Sequence, residues 1–507
     1  MTVLRERFGL GMLVSLLCGA FAIKAILLVD ATSLWCDELY SVGKSFQPSF
    51  IRLLEMLRND THPPLYYGVL WIWGQIVGHN AVTLRLLSWL FYLLGGGIVV
   101  AQAGALAKRF DVSRFRALSL AAVLVFCSPY PIRFAIEGKS YSLLVLLVGL
   151  AWWWRRRVLK LEDASKASSL DGVLYGVSVC LASITHYYGL FLFASAVAWD
   201  LFRHRWRLGA IAALALLPSL AWIGYASAYL FRDSTAGWLG SPDFALFEET
   251  LARALGPWPF PKIGFLLLLI LALKVLQKRG DLFARLHEVI QSGDAGSGRL
   301  SDQSGLIPSA LMVIFVVVIS YLKPLAFSRY FVVLVPAVIP WFVVQCARFR
   351  IERIGRLLIL LWLTAFLVLW WSQSYLEHDP RLGRDGVKEQ DNFRAISQTL
   401  AHTQERYSPR ARLLNLSDRM EFAAGRVPEI SSHWGDKSDL RQRLATEPLP
   451  HSLWLASSGP EKSMFPRLEP LKKLAEDRRY VCEQHDQKQS NILLMSCSLT
   501  VSKGSLP

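Results

Sequence analysis

The stretch Leu34-Trp35-Cys36-Asp37-Glu38-Leu39-Tyr40-Ser41 follows the first long apolar run of the chain, and Asp60-Thr61-His62-Pro63-Pro64-Leu65-Tyr66-Tyr67 follows further along the same loop. Asp37 and Glu38 are adjacent carboxylates just beyond a predicted membrane span. Asp60 precedes a rigid His-Pro-Pro corner, and proline favours the first turn of a helix. These two stretches predict a loop at a membrane surface, held by the apolar runs on either side of it.

The composition predicts a polytopic membrane protein. The chain has 507 residues, of which 53% are hydrophobic and 19% charged, with 18 Trp and 27 Phe. Several runs are about twenty apolar residues long, which is the length that crosses a hydrocarbon core. The residues after 376 carry nearly balanced charge, so most of the net charge of +16 lies in the short loops of the apolar part. Such loops indicate orientation by the positive-inside rule, and no basic stripe typical of nucleic-acid binding is visible.

Basic clusters and apolar runs together predict about eleven spans, with the N-terminus inside and the C-terminus outside. Arg5 and Arg7 precede a first span near 8–29, which we interpret as a retained anchor because no small-residue cleavage site follows it. Further spans are predicted near 81–107, 117–132, 140–154, 208–231, 306–322, 330–347 and 357–376, and one ends near Lys278 and Arg279.

Two segments allow alternative interpretations. The apolar helix from Pro63 to about Val77 is short, and the side of the next basic cluster favours an interfacial helix over a full span. Residues 172–199 have basic clusters at both ends, which favours a hairpin with His186-Tyr187-Tyr188-Gly189 at its outer tip. One long span is the competing interpretation.

The chain is predicted to have two domains, a membrane domain over 1–376 and a small α/β soluble domain over 377–507. In the second, the pattern predicts a helix over 390–403 and strands over 412–416, 452–456, 480–483 and 492–496. Cys482 lies in one of these strands and Cys497 directly follows another, and a disulfide between them is one of two open outcomes if the domain lies outside the cytosol.

The predicted outer face collects both acidic and basic groups: Asp37, Glu38, Asp60, His62, Glu137, Lys139, His186, Lys323 and Arg329. Each has a plain structural interpretation as well. Asp37 and Glu38 could cap an interfacial helix, Glu137 could pair with Lys139, and His186 could be a buried histidine with satisfied hydrogen bonds. Their convergence on one side favours function, because a basic set at the lipid boundary is what a phosphate head group needs.

Six short motifs resemble the GT-C glycosyltransferases of the protein O-mannosyltransferase and aminoarabinose transferase superfamily. They occur in that superfamily's order over roughly the first 380 residues: Trp35 to Ser41, Asp60 to Tyr67, Arg85-Leu86-Leu87-Ser88, Ile132 to Leu143, His186 to Gly189, and Ser328-Arg329-Tyr330. The resemblance implies a GT-C fold with interfacial helices in the first outer loop. It also implies an enzyme that transfers a sugar from a polyprenyl-phosphate donor to a lipid, glycan or protein acceptor.

The resemblance also implies the site residues. Asp37 would be the catalytic base, with Glu38 beside it and Glu137 as a second acidic position, and the transfer would invert the anomeric centre. Asp60, His62, Tyr66, Arg85, Lys139, Tyr141, His186 and Arg329 would bind the substrate or its phosphate. Some relatives use a divalent metal ion, for which Asp37, Glu38, Asp60 and Glu137 are the candidate ligands here.

Two positions depart from the superfamily pattern. His62 stands where aminoarabinose transferases have a lysine before Pro-Pro, and a neutral imidazole donates less charge to a phosphate. Gly138-Lys139 replaces the commoner small residue and arginine, so a point charge stands in place of a bidentate fork.

A carrier or flippase for polyprenyl-linked glycans is the alternative function. A carrier would place polar groups near the bilayer midplane, often at broken helices in paired halves, whereas the midplane segments here are apolar. A structural subunit with an outer binding domain would leave the acidic loop unexplained. The short anchor favours a bacterial inner membrane, with the site and the tail extracytoplasmic.

Overall fold

The chain folds into a bundle of apolar helices and a small mixed sheet, seen in a computed structural model. The structure describes residues 34–127, 134–163, 169–232, 239–255, 296–348, 405–407, 411–427, 433–435, 437–458, 461–485 and 492–500, together with Thr235, Ser397 and scattered residues between 12 and 30. The predicted spans near 8–29, after residue 262 and over 357–376 lie wholly or largely outside these residues, as does the predicted helix over 390–403.

The described helices follow the order of the predicted spans. Helices α1 to α5 are Cys36–Ser45, Phe50–Arg58, Leu65–Val77, Ala81–Arg109 and Arg114–Cys127. Helices α6 to α10 are Tyr141–Asp163, Ser169–Ser183, Tyr187–Phe202, Trp206–Leu230 and Phe244–Leu255. Helices α11 to α13 are Gly296–Ser304, Leu306–Ile319 and Val335–Arg348, and a 3₁₀ segment, Ser328–Leu334, leads into α13.

Three of the described segments are long and apolar enough to cross a membrane: Ala81–Arg109, Trp206–Leu230 and Ser328–Ala347. Shorter apolar helices, including Leu170–Ser183, Tyr187–Phe202 and Leu306–Ile319, accompany them. The predicted break near His186 is confirmed, because α7 and α8 are separate helices on either side of it, whereas the two crossings and the outer position of the tip stay predictions. The total of about eleven spans stays a prediction.

Contacts between Cα atoms divide the chain into two compact units. The first comprises Met1–Leu27, Pro48–Leu70 and Arg85–Tyr375, and the second comprises Leu28–Gln47, Trp71–Leu84 and Leu376–Pro507. The second unit therefore includes the segment with Asp37 and Glu38 as well as the tail. The predicted boundary after residue 376 stays a prediction.

In the first unit, a buried ion network joins three helices at one end of the bundle. Arg155 on α6 donates to Asp200 on α8 over 2.9 Å and 2.5 Å. Arg205 donates to Asp302 on α11 over 2.6 Å, and the indole of Trp199 donates to the same carboxylate over 2.7 Å. Each charge has an opposite partner, which offsets the cost of burying it.

The second unit contains a five-stranded sheet. Its strands are β1 (Glu405–Tyr407), β2 (His433–Gly435), β3 (Ser452–Ser458), β4 (Tyr480–His485) and β5 (Ile492–Leu499), in the order β2-β1-β3-β5-β4. Strand β1 runs parallel to β2 and β3, whereas β5 is antiparallel to β3 and β4. A disulfide joins Cys482 to Cys497 at facing positions of β4 and β5.

The helices of the second unit are α14 (Ala411–Ala423), α15 (Lys437–Ala445) and α16 (Glu461–Glu476). The predicted strand over 412–416 is wrong, because these residues lie inside α14. Buried Leu413, Leu414, Met420 and Glu421 recur at helical spacing, which a five-residue window is too short to reveal. The three strands predicted later in the tail are confirmed, each slightly longer than expected.

Helix α1 packs against α14 within the second unit. Arg426, just after α14, forms ion pairs with Asp30 and with Glu421. The loop segment that carries the acidic pair is thus built together with the tail.

Candidate active site

The corner between α2 and α3 presents His62 in the first unit. Its Nδ1 atom lies 2.7 Å from Oδ1 of Asp60, and about four-fifths of each side chain is buried. The backbone N–H of Leu65 donates to the carbonyl of Ile184 over 3.1 Å, which connects the start of α3 to the α7–α8 hairpin. The corner therefore has a defined position relative to the hairpin tip.

His186 lies at that tip and caps α8. Its Nδ1 accepts the N–H of Tyr188 over 3.2 Å, so the neutral ring carries its proton on Nε2. Burial lowers the pKa of His186 from 6.5 to about 3, with the positive charges of His62 and Lys139 adding to the effect. At neutral pH the imidazole is therefore a neutral hydrogen-bond donor.

Aromatic rings surround His186. Its ring centroid lies 4.8 Å from that of Tyr330, 6.1 Å from Tyr141 and 6.2 Å from His62. Tyr188 donates to the carbonyl of Leu325 over 2.9 Å and also contacts Tyr330 at 5.2 Å. This cluster joins α6, the hairpin tip and the 3₁₀ segment at one end of the bundle.

Lys139 and Arg85, two of the basic residues predicted to bind the phosphate, are both buried. Lys139 is 4% exposed, and its carbonyl accepts the hydroxyl of Ser88 over 3.5 Å. Arg85 is also buried and lies one turn before Ser88 on α4. No carboxylate forms an ion pair with Lys139 in the part of the chain that the structure describes.

Glu137 faces Arg329 instead of pairing with Lys139. The closest approach is 4.0 Å between Oε1 and Nη1, and both side chains are nearly inaccessible to solvent. Ser328 donates to Oε1 of Glu249 on α10 over 2.5 Å. Sequence reasoning missed Glu249, whose only signal was an acidic pair, Glu248-Glu249, within an otherwise apolar segment.

Asp37 and Glu38 belong to the second unit and lie in the first turn of α1. The Glu38 carboxylate accepts the backbone N–H of Trp35 over 3.3 Å, and its side chain is buried. Glu38 therefore caps the helix, as the plain interpretation expected. The carbonyl of Asp37 accepts the hydroxyl of Ser41 over 3.2 Å, and the side chain of Asp37 is half-buried.

The predicted site residues thus fall into groups. The first unit brings together Asp60, His62, Lys139, Tyr141 and His186 in one cluster, with Glu137 beside Arg329 as a buried pair. Tyr66 is fully buried and contacts Tyr67 at 5.5 Å, and Tyr67 in turn lies 5.9 Å from His62. Tyr66 therefore supports the His62 corner through its contact with Tyr67.

The metal ion that the sequence allowed stays a prediction. Among the described residues, no three His, Cys, Asp or Glu side chains gather closely enough to hold an ion. Asp60 is engaged with His62, Glu38 caps α1, and Glu137 faces a guanidinium.

The fold is similar to that of two solved structures of ArnT. The structure of ArnT from Cupriavidus metallidurans bound to undecaprenyl phosphate aligns with a TM-score of 0.56 at 14% identity, covering 95% of this chain and 97% of that one. The apo structure of ArnT aligns with a TM-score of 0.54, also at 14% identity, covering 96% and 98%. An oligosaccharyltransferase from Archaeoglobus fulgidus, in complex with Zn and sulfate, gives a weaker match, with a TM-score of 0.42 and 12% identity over 92% and 71%.

No protein-family model matches the chain, and no curated protein matches it by sequence. The alignments with ArnT show that this chain has the GT-C fold, as the six motifs implied.

Proposed function

We propose that this protein is a membrane glycosyltransferase that takes a sugar from a polyprenyl-phosphate donor. The observation that carries the proposal is the alignment with ArnT over nearly the full length of both chains, one ArnT structure being bound to undecaprenyl phosphate. The cluster of buried cations and aromatic rings at one end of the bundle supports it independently. The acceptor is a lipid, a glycan or a protein.

Lys139, His186 and Arg329 serve the donor phosphate in this proposal. Negative charge grows on the leaving phosphate as the glycosidic bond breaks, and preorganised donors stabilise that charge most effectively in a site that excludes water. Lys139 supplies a full positive charge, and His186 supplies an N–H without a charge. Arg85, buried one turn before Ser88, adds a second cation near the Lys139 backbone.

The carboxylates then have different roles. Glu137 holds the Arg329 guanidinium in place, and Asp60 holds the His62 ring. Tyr141 packs against His186, and Tyr66 packs against Tyr67. Asp37 accepts the proton of the acceptor hydroxyl as that oxygen attacks the anomeric carbon, and the phosphate leaves with the electron pair of the broken bond. A single displacement inverts the anomeric centre and needs no carboxylate nucleophile.

The enzyme acts at the extracytoplasmic face, with the tail on that side, of a membrane that we propose to be a bacterial inner membrane. Disulfides persist in oxidising compartments, so the Cys482–Cys497 bond supports an extracytoplasmic tail. Since α1 packs against α14, the acidic loop lies on the same side as the tail.

The test is release of polyprenyl phosphate from a polyprenyl-phosphate sugar by the purified protein. Replacing Asp37 by Asn removes the base and keeps the size of the side chain, so turnover should fall at least about 100-fold. Glu38→Gln is the matched control, because the glutamine oxygen can still accept the Trp35 N–H and the base stays intact. Its melting temperature should stay close to that of wild type, and its turnover should stay within about tenfold of wild type.

Equal release by wild type and Asp37→Asn would remove Asp37 from the role of base. Absence of release by wild type, together with movement of polyprenyl-linked glycan across reconstituted vesicles, would establish the carrier in place of the enzyme.

A further inference from the structure

Three consecutive arginines on α6 have unequal surroundings. Arg155 is bound by Asp200 and Asp302, and Arg157 lies 3.0 Å from Asp171. Arg156, between them, forms no ion pair within the described helices and loops. Its guanidinium lies 5.0 Å from the ring centroid of Trp153.

Arg156 is nevertheless buried. The residue is 7% exposed, and its Nη1 atom is inaccessible and has no hydrogen-bond partner among the described residues. Removing a charged donor from water without a partner costs several kcal/mol, by an order-of-magnitude estimate. The aromatic contact returns about 1–2 kcal/mol of that cost. Within the described part of the chain, no anion offsets the rest of that cost.

Arg109, at the end of α4, is a second positive charge, and it repels the guanidinium of Arg156. On the same two helices, Gln102 donates to the carbonyl of Gly149 over 2.5 Å. Arg109 lies seven residues after Gln102 on α4, and Arg156 lies seven residues after Gly149 on α6. Because both helices rise by the same distance per residue, the two arginines lie at the same height along the bundle.

This pair lies far from the candidate active site. Tyr141 begins α6 at the aromatic cluster, and Arg156 follows it by about 22 Å along the helix axis, from a rise of 1.5 Å per residue. By the predicted orientation, that distance takes the pair to the cytoplasmic side. The active-site phosphate therefore cannot be the anion that the arginines accompany.

We propose that Arg156 and Arg109 form a binding site for a phosphate-bearing anion at the end of the bundle opposite the candidate active site. A buried guanidinium beside a second one matches the several oxygens of a phosphate, which accepts paired N–H donors. The phosphate belongs either to an anionic phospholipid head group or to a soluble phosphate. This site does not depend on the proposed transferase activity.

The test measures binding to the purified, delipidated full chain. Native mass spectrometry with dioleoyl phosphatidylglycerol, and separately with zwitterionic dioleoyl phosphatidylcholine, reports lipid binding. Thermal unfolding with added inorganic phosphate reports a soluble anion. Arg156→Gln should weaken phosphatidylglycerol binding about tenfold, since one charge-assisted pair is lost. Phosphatidylcholine binding should stay unchanged.

Lys160→Gln is the matched control, because Lys160 lies one turn further along α6 and is exposed. It should leave binding within about twofold of wild type, as expected for a solvated surface charge. If Arg156→Gln fails to fold, the exposed Arg109→Gln variant provides the same comparison.

The lipid-binding measurement and the thermal-unfolding measurement together identify the source of the phosphate. Loss of phosphatidylglycerol binding alone assigns a lipid head group, whereas loss of phosphate-induced stabilisation alone assigns a soluble anion. Equal binding of both probes by wild type and the arginine variants would overturn the proposal, as would the absence of any binding by wild type.

Discussion

His186 combines two roles that single substitutions can separate. Its Nδ1 caps α8, and its Nε2–H is available for a substrate oxygen. His186→Asn retains a capping acceptor and removes the imidazole, whereas His186→Ala removes both. We expect the alanine variant to lose about 1 kcal/mol of stability and the asparagine variant to keep it.

Transferase turnover reports on the role of the Nε2–H donor, because both variants lack that donor. We expect each to turn over at least about tenfold more slowly, measured beside the melting temperature of the same samples. Wild-type turnover by His186→Asn would contradict a role in phosphate stabilisation.

The lowered pKa of His186 also predicts an effect of pH on stability. Between pH 6.5 and about 3 the unfolded chain binds a proton at this position and the folded chain does not. Stability therefore falls as the pH falls through this window, by about 2 kcal/mol between pH 7 and pH 5 for this group alone. Melting temperatures at the two pH values should differ more for wild type than for His186→Asn, and equal differences would contradict the neutral, buried ring.

At the scale of elements, the α7–α8 hairpin requires a glycine at its tip. A Cβ atom on Gly189 would lie 2.9 Å from the carbonyl carbon of Ala182 and closer still to its oxygen. Gly189→Ala must therefore push α8 away from α7, at a cost of about 1–3 kcal/mol. We expect a lower melting temperature and slower turnover, because His186 moves with the tip.

Gly224→Ala is the control for that change. Gly224 lies within α9, where an added methyl group would meet no described atom within 4 Å, and alanine is the better helix former by up to about 1 kcal/mol. This variant should be as stable as wild type or more so. A Gly189→Ala variant equal to Gly224→Ala in stability would show that the close approach is unimportant.

The hairpin could be predicted from sequence because the basic clusters at its two ends indicate on which side of the membrane each end lies. Basic clusters at both ends of 172–199 favoured an even number of crossings over one long span, and the structure has two separate helices there. The strand predicted over 412–416 had no such constraint. Its residues are apolar enough for either element, and the packing of α14 against α1 comes from a segment nearly four hundred residues earlier.

In the site, too, some residues could be predicted from sequence motifs and others could not. His62, Lys139, Tyr141 and His186 belong to recognisable motifs, and the structure gathers them. Glu249 lies in a segment without a motif, and it connects to the site through the hydroxyl of Ser328. Glu38 caps α1 because its carboxylate accepts the backbone N–H of Trp35. The sequence allowed both this cap and a catalytic role for Glu38, and it could not decide between them.

At the scale of the whole molecule, the tail and the acidic loop form one compact unit. The ion pair between Arg426 and Asp30 and the packing of α14 on α1 make the tail part of the support for Asp37. Apolar runs predicted a polytopic membrane protein, and the resemblance of the six motifs to a known superfamily implied the GT-C fold, which the ArnT alignments support. The grouping of the acidic loop with the tail follows from tertiary contacts that no local pattern encodes.

An extracytoplasmic tail predicts protection of two particular cysteines in intact cells. Cys482 and Cys497 should react with a thiol reagent only after reduction, because they are joined in a disulfide. Replacing both by serine should lower the stability of the sheet by about 3 kcal/mol, the value for a loop of this length in the chain-entropy model. Labelling of both cysteines without reduction would contradict the proposed location of the tail.

Binding of polyprenyl phosphate tests the central claim most directly. Lys139→Gln removes a buried cation that pairs with no carboxylate among the described residues, so no carboxylate loses its counter-ion. We expect polyprenyl phosphate to bind at least about tenfold more weakly to this variant than to wild type. Lys323, whose ammonium donates to the carbonyl of Leu230 over 2.7 Å, provides the control, and Lys323→Gln should bind within about twofold of wild type. Equal affinity of wild type and Lys139→Gln would contradict a lipid phosphate at this cluster.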